Sequence, residues 1–165
     1  MSDADAIRAM LRQVTLASID DSGAYQRGAV KGYAGESIPD AVRLQNFGFH
    51  SVPPAGAKGV LASLGGRAER PYILGVEHDA HRPKGLGPGS VAIYDAQGGI
   101  HSMVNRAMRV VCDSVTYVCG GVTMVLTSSG LAITGGTITH DGHLIDKTHV
   151  HTGVVPGGAN TGTPP

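Results

Sequence analysis

"VTMVLTSSGLAITGG", residues 122–136, consists of two apolar segments, each too short to make a core and each closed by a turn signal. Val122, Met124 and Leu126 take alternate positions, as do Leu131 and Ile133. Each segment therefore reads as a strand with one narrow apolar face and one face rich in Thr and Ser. Ser-Ser-Gly at 128–130 and Gly-Gly at 135–136 punctuate them. The pattern extends outward through "MRVVCDSVTYVC" at 108–119 and Gly-Gly at 120–121 on one side, and through "TITH", Asp141-Gly142 and "HLID" on the other. Units this short bury their apolar faces only against neighbours, either further repeats or identical copies around an axis. The stretch is too brief for many repeats, so copies are expected. The reading is an intertwined homo-oligomeric β-helix or β-prism, most simply a homotrimer, because three strands close a triangular core.

Toward the N-terminus the texture stays β-like. From Thr15 to about Met103 short apolar runs ("TLASI", "AVRLQNFGFH", "GVLASLGG", "PYILGVEH", "SVAIYDAQGGIHSMV") are separated by Gly, Pro and Asp, with no helical stretch between them. Five such runs predict a small closed antiparallel barrel of OB-like type. Ahead of it, "SDADAIRAMLRQV" places Ser2 and Asp3 as helix caps and Ile7, Met10, Leu11 and Val14 at helical spacing, which predicts a short amphipathic helix. The expected organisation is a helix over 1–14, a barrel domain over 15–104, a β-helical stalk over 105–147 and a terminal tip over 148–165.

Composition narrows the function. In 165 residues, 13 basic and 13 acidic side chains cancel, so no net field draws the protein to nucleic acid or an anionic membrane. Tyr25, Tyr33, Phe47, Phe49, Tyr72 and Tyr94 come without the basic stripe that would make them a stacking platform for single strands. The 25 glycines and the absence of Trp favour tight turns over aromatic-lined pockets. No apolar run reaches the roughly 18 residues of a membrane span, and the first residues lack a secretion signal, so synthesis as a soluble cytoplasmic protein is expected. Cys112 and Cys119, seven residues apart and hence on opposite faces of an uninterrupted strand, are read as free thiols.

His149 and His151 are the candidate metal ligands. In an extended chain residues i and i+2 face one side, so the two imidazoles point together while Val150 points away. One chain supplies two nitrogens and no Cys, Asp or Glu after them. Symmetry can supply the rest: three chains bring six nitrogens to a common axis, a set suited to an octahedral ion, with iron(II) preferred over four-coordinate Zn²⁺. An axial ion would also staple a Gly/Pro-rich end that has no core to fold around. His140 and His143 flank the Asp141-Gly142 turn and are expected on the surface. His78, Asp79 and His81 in "EHDAHRP" could imitate a hydrolase metal site, but Pro83 follows closely and no third ligand pattern is evident, so a polar loop between barrel strands is the expectation. No nucleophile elbow, P-loop or dinucleotide fingerprint occurs, and "GLGPGS" lacks the strand-to-helix setting. No catalytic residue is assigned.

Three stretches, "VRLQNFGFHSVPPAGAKGVLASLGG", "HRPKGLGPGSVAIYDAQGG" and the ending "HVHTGVVPGGANTGTPP", together resemble the central spike, or baseplate assembly protein V, of contractile-tailed bacteriophages, nearest the Mu gp45-like group. The resemblance runs from about residue 15 to the end. It implies a homotrimer with an N-terminal OB domain on the baseplate hub protein and a tapering β-helical stalk. At the tip, His149 and His151 of each chain would bind one Fe ion. It also implies a location in the virion tail baseplate, assembly in the host cytoplasm, and mechanical rather than catalytic passage through the host outer membrane into the periplasm when the sheath contracts. Two alternatives stand beside it: a metal-dependent hydrolase using His78, His81 or the terminal pair, and an OB-type module for oligosaccharide or nucleic acid.

Overall fold

The computed structural model describes residues 10–66, 69, 71–146, 149, 150, 153 and 157. Its first five strands are β1 (Leu11–Asp20), β2 (Arg27–Lys31), β3 (Ser37–Arg43), β4 (Lys58–Ser63) and β5 (Pro71–Glu77), and they close into a barrel in the order β1-β2-β3-β5-β4. Closure depends on β1. Its first half, Leu11–Thr15, pairs with β4, and its second half, Thr15–Asp20, pairs with β2. The register against β2 skips Ala17 between Leu16 and Ser18, a bulge that adds the twist needed to carry one strand around the corner. The parallel contact of β3 with β5 is brief, Val42 to Tyr72 and Arg43 to Ile73.

Alternation along these strands fills the interior. Val14, Leu16, Val30, Ala41, Ala57, Leu61 and Ile73 are buried, with Ile19, Ile38 and Val76 packed against them. Gly28 makes room for this packing, since a Cβ there would sit 3.0 Å from the tips of Ile19 and Ile73.

The five-run count and the closure agree with the sequence reading, but the strands differ in two places. β2, "RGAVK", is a short segment with one glycine and two charges, and no run of apolar residues announces it. The run at 91–104, expected as the fifth barrel strand, forms instead a separate meander of β6 (Val91–Tyr94), β7 (Ile100–Val104) and β8 (Ala107–Val111). β7 and β8 are joined through Asn105 and Arg106, both at positive φ (48° and 66°), the geometry of a tight hairpin turn. The chain divides into two compact units, Met1–Val111 and Cys112–Pro165.

The N-terminal helix, expected to run to residue 14, ends earlier: Met10 is helical and the strand begins at Leu11. Leu11–Val14 belong to β1, and Leu11, counted on the helical face, is 65% exposed. Period two, with Val14 and Leu16 inward, defeats the helical spacing because closing the barrel gives those side chains a core. Residues 1–9 lie outside the described residues.

The second unit holds β9 (Ser114–Cys119), β10 (Val122–Thr127) and β11 (Gly130–Thr134) in one antiparallel meander, then β12 (Thr139–His140) and β13 (His143–Leu144) as a small hairpin. Its turns fall where the sequence placed them. Asp141 and Gly142 take positive φ values of 48° and 81° between His140 and His143, which are paired and exposed. Cys112 and Cys119 are free, exposed thiols. No described residue of this unit is buried.

Leu61→Ala removes a side chain at 0% exposure in the middle of the barrel. It should cost about 2–5 kcal/mol in chemical denaturation monitored by circular dichroism.

Candidate functional site

The two histidines singled out by sequence are only partly within view. His149 is described and exposed, and His151 lies outside the described residues. A turn positions His149: its backbone N–H donates to the carbonyl of Asp146 at 3.1 Å, and its ring Nδ1 lies within hydrogen-bond reach of the same oxygen. A carbonyl only accepts, so Nδ1 carries the proton and Nε2 is the basic nitrogen in the neutral ring. That tautomer, fixed by a backbone carbonyl, is the one a metal-binding imidazole adopts. The local chemistry of His149 fits a metal ligand. Among the described residues no three His, Cys, Asp or Glu side chains gather as a metal site within a single chain.

The second histidine cluster is a structured turn leaving the barrel after its last strand, not a loop between barrel strands. The rings of His78 and His81 lie 4.5 Å apart. His78 Nδ1 accepts the Ala80 N–H at 3.2 Å, while the His78 carbonyl accepts the N–H groups of His81 and Arg82. Asp79 turns to Lys58 at 3.2 Å, and that hydrogen bond holds its carboxyl below the usual range. Arg82 pairs with Glu77. These groups satisfy each other, and Asp79 has the stabilised charge of an ion-pair partner, the reverse of a poised general base. Beside them a cleft of about 460 Å³ is lined by Gln13, Lys58, Gly59, Val60, Gly75, Glu77 and Asp79, with the Lys58–Asp79 pair at its rim.

A third feature escaped the sequence reading. The connection from β3 to β4 is tied to the β1–β2 loop by a polar clip. Arg43 Nη1 donates to Gln26 Oε1 (2.6 Å) and to the Ser51 carbonyl (2.7 Å), and its Nη2 donates to Ser51 Oγ (2.9 Å). Gln26 Nε2 donates to Asp21 Oδ1 (2.7 Å), and His50 Nε2 donates to Asp21 Oδ2 (2.9 Å). Gln45 accepts the Ser51 N–H at 2.9 Å. Burial pulls the Arg43 guanidinium below its ordinary value, whereas hydrogen bonds from Gln26 and His50 hold the Asp21 carboxyl down. The signal available in sequence was the run "LQNFGFH", which places two Phe around a glycine in a connection that a buried strand would not tolerate.

The likeness to known proteins falls on the barrel. The family described as Bacteriophage Mu Gp45, N-terminal, fits residues 13–80, almost the span of the barrel. Through its barrel the chain is similar to the Mu gp45-like group. The baseplate puncturing device gp45 of Escherichia phage Mu is 33% identical over 92 residues, which are 56% of this chain and 47% of that protein. The Mu-like prophage FluMu protein gp45 of Haemophilus influenzae is 27% identical over 92 residues, 56% of this chain and 50% of its own. The matches thus span about half the length of these curated relatives. The gp45-like family match ends at residue 80, so β6 to β13 and the terminal histidines lie beyond it.

The clip has a definite acid limit. Asp21 has a folded pKa below 3.8, so the stability it lends is present above that value and is lost as pH falls through the depressed one. Amide protection at Ser51 and neighbouring loop residues, relative to the intrinsic exchange rate at each pH, should hold at pH 5–7 and fall below about pH 3.8, and Asp21→Asn should show the lower protection already at neutral pH.

Proposed function

We propose that this protein is a structural, non-enzymatic central spike of a contractile phage-type tail baseplate, a trimeric device that pierces the host outer membrane when the tail contracts. The barrel attaches it to the baseplate hub protein, the short-stranded region from 105 to 147 forms the stalk, and the terminal residues form the tip. The relatedness of the barrel to a baseplate puncturing device supports the setting. The observation that carries the mechanical reading is the apolar surface exposed by a single chain. Tyr117 is 58% exposed, Val118 70%, Leu126 51% and Leu131 59%, all in strands of one small meander. Strands of this kind are stable when copies cover them, and a threefold bundle does so with no strand edge left open.

His149 and His151 of three chains would hold one iron ion through six nitrogens. The ion supplies a cross-link between three chain ends. His149 contributes its Nε2, with the ring oriented by the Asp146 carbonyl, and the Asp146 turn keeps that ring from rotating away. A spike so closed has interchain hydrogen bonds along its length and a pinned end, the properties that resist fraying under axial load.

Solution mass together with elemental content tests this reading. The expected result is three chains per particle and one iron per particle. A monomer, or one metal per chain, overturns it. His151→Ala should abolish the iron while leaving the barrel's thermal transition in place. Leu131→Asp should break the assembly to single chains in sedimentation, because it sets a charge on the apolar face of β11.

A further inference from the structure

The chain contains two phenylalanines, Phe47 and Phe49, and neither contributes to the core. Phe47 is fully exposed and Phe49 is 66% exposed, on either side of Gly48, whose φ of +84° makes the bend that parts them. Leu44 (49%) and Val52 (52%) stand at the two ends of the same connection, and Tyr25 (67%) lies on the β1–β2 loop clipped to it. Large apolar side chains left in water are tolerated singly, but a cluster on two tied loops marks a surface with a partner. From these residues we infer that the tied β1–β2 and β3–β4 loops are a preformed docking knob, with Phe47 and Phe49 as its anchors, for a protein other than this chain that offers an uncharged apolar pocket.

Three observations fix the kind of partner. First, the loop is already ordered. Arg43, Gln26, Ser51, Gln45, His50 and Asp21 hold its base, and the Phe49 N–H bonds the Asn46 carbonyl at 3.1 Å, so little conformational freedom remains to be lost on binding. Preorganised aromatics are the usual energetic centre of a protein interface. Second, the tip from Leu44 to Phe49 carries no charge, and the nearest charged groups are turned inward: Arg43 onto Gln26 and Ser51, Asp21 onto Gln26 and His50. A membrane surface or a nucleic acid would call for outward Lys or Arg here. Third, three clefts of this unit that could receive a ring are rimmed by charge. Lys58, Glu77 and Asp79 line one of about 460 Å³, Asp20, Arg27 and Asp40 one of about 230 Å³, and Glu77 and Arg82 one of about 240 Å³. The clefts of a second copy's first unit thus offer the knob a poor socket. Three aromatic side chains of about 150–250 Å² each, mostly exposed, supply roughly half of the ~800 Å² per partner that a standard interface buries.

The inference rests on the baseplate reading for the partner's identity, the hub protein, but not for the surface. Replacing Phe47 with a benzophenone amino acid in assembled tail particles, with Tyr33 (92% exposed) replaced likewise as a control site, tests both. Irradiation should join position 47 to the hub protein and leave position 33 without that adduct. An adduct at 47 with a different tail protein keeps the knob and overturns hub attachment. Adducts only with copies of this chain, or none, overturn the knob. The double variant Phe47→Ser/Phe49→Ser should keep the wild-type melting temperature and solution mass, yet enter particles at least tenfold less well. Wild-type incorporation overturns the inference.

Discussion

The barrel exists because β1 serves two neighbours. Leu11–Thr15 bond β4, Thr15–Asp20 bond β2, and the bulge at Ala17 lets one continuous strand lie in both directions. Without that corner the sheet would stay open, with Val14 and Leu16 facing water and no enclosure for Leu61 and Ile73. Closure removes exposed edges and also sets the loops. The two ends of the β3–β4 connection are fixed by the barrel wall, Leu44 through its N–H to Ile73 and Ala57 by burial in the core, so the intervening residues are held out as a short arch. The clip around Arg43 then decides the shape of the arch. Core closure and surface display are thus one constraint: a small interior satisfied by aliphatic side chains leaves the phenylalanines for the outside.

The sequence conveyed strand character and turn chemistry better than strand identity. Gly-Gly, Ser-Ser-Gly and Asp-Gly each demanded a backbone that only a few residues accept, and the turns formed there. β2 was invisible because three of its five residues, Arg27, Gly28 and Lys31, give no apolar signal, and Gly28 is present to make room for its neighbours. The run at 91–104 looked like a barrel strand because its alternation is real, but alternation states that one face is apolar, not which core it covers. The helical spacing at the N-terminus overran its end for the same reason, since Met10 is helical but Leu11–Val14 are strand. Ile7, Met10, Leu11 and Val14 fit a period near 3.6, yet Val14 also begins the period-two series that the barrel rewards.

Of the candidate sites, the terminal pair rests on its spacing in the sequence, with His151 outside the described residues, while the tautomer of His149 required the Asp146 carbonyl. The docking loop was missed because exposed aromatics look like core residues in a sequence. "NFGF" has the hydrophobicity of a buried strand, and only the tethering of its base by Gln26, Arg43 and Ser51 shows it facing outward. The "EHDAHRP" turn is the opposite case. Its residue types invite a metal, but Lys58 and the Ala80 amide already occupy Asp79 and His78.

The two units differ in how they use apolar surface. The barrel encloses seven buried residues and can hold its shape as one chain. The residues from 112 onward enclose none among those described, so their strands have hairpin hydrogen bonds but no interior. A three-stranded meander without a covered face is marginal in water. Under the proposed assembly its free energy comes from contacts between chains, and contacts of that kind form together or not at all. Cooperative closure suits a rod, because bending any one strand would expose apolar surface on all the others.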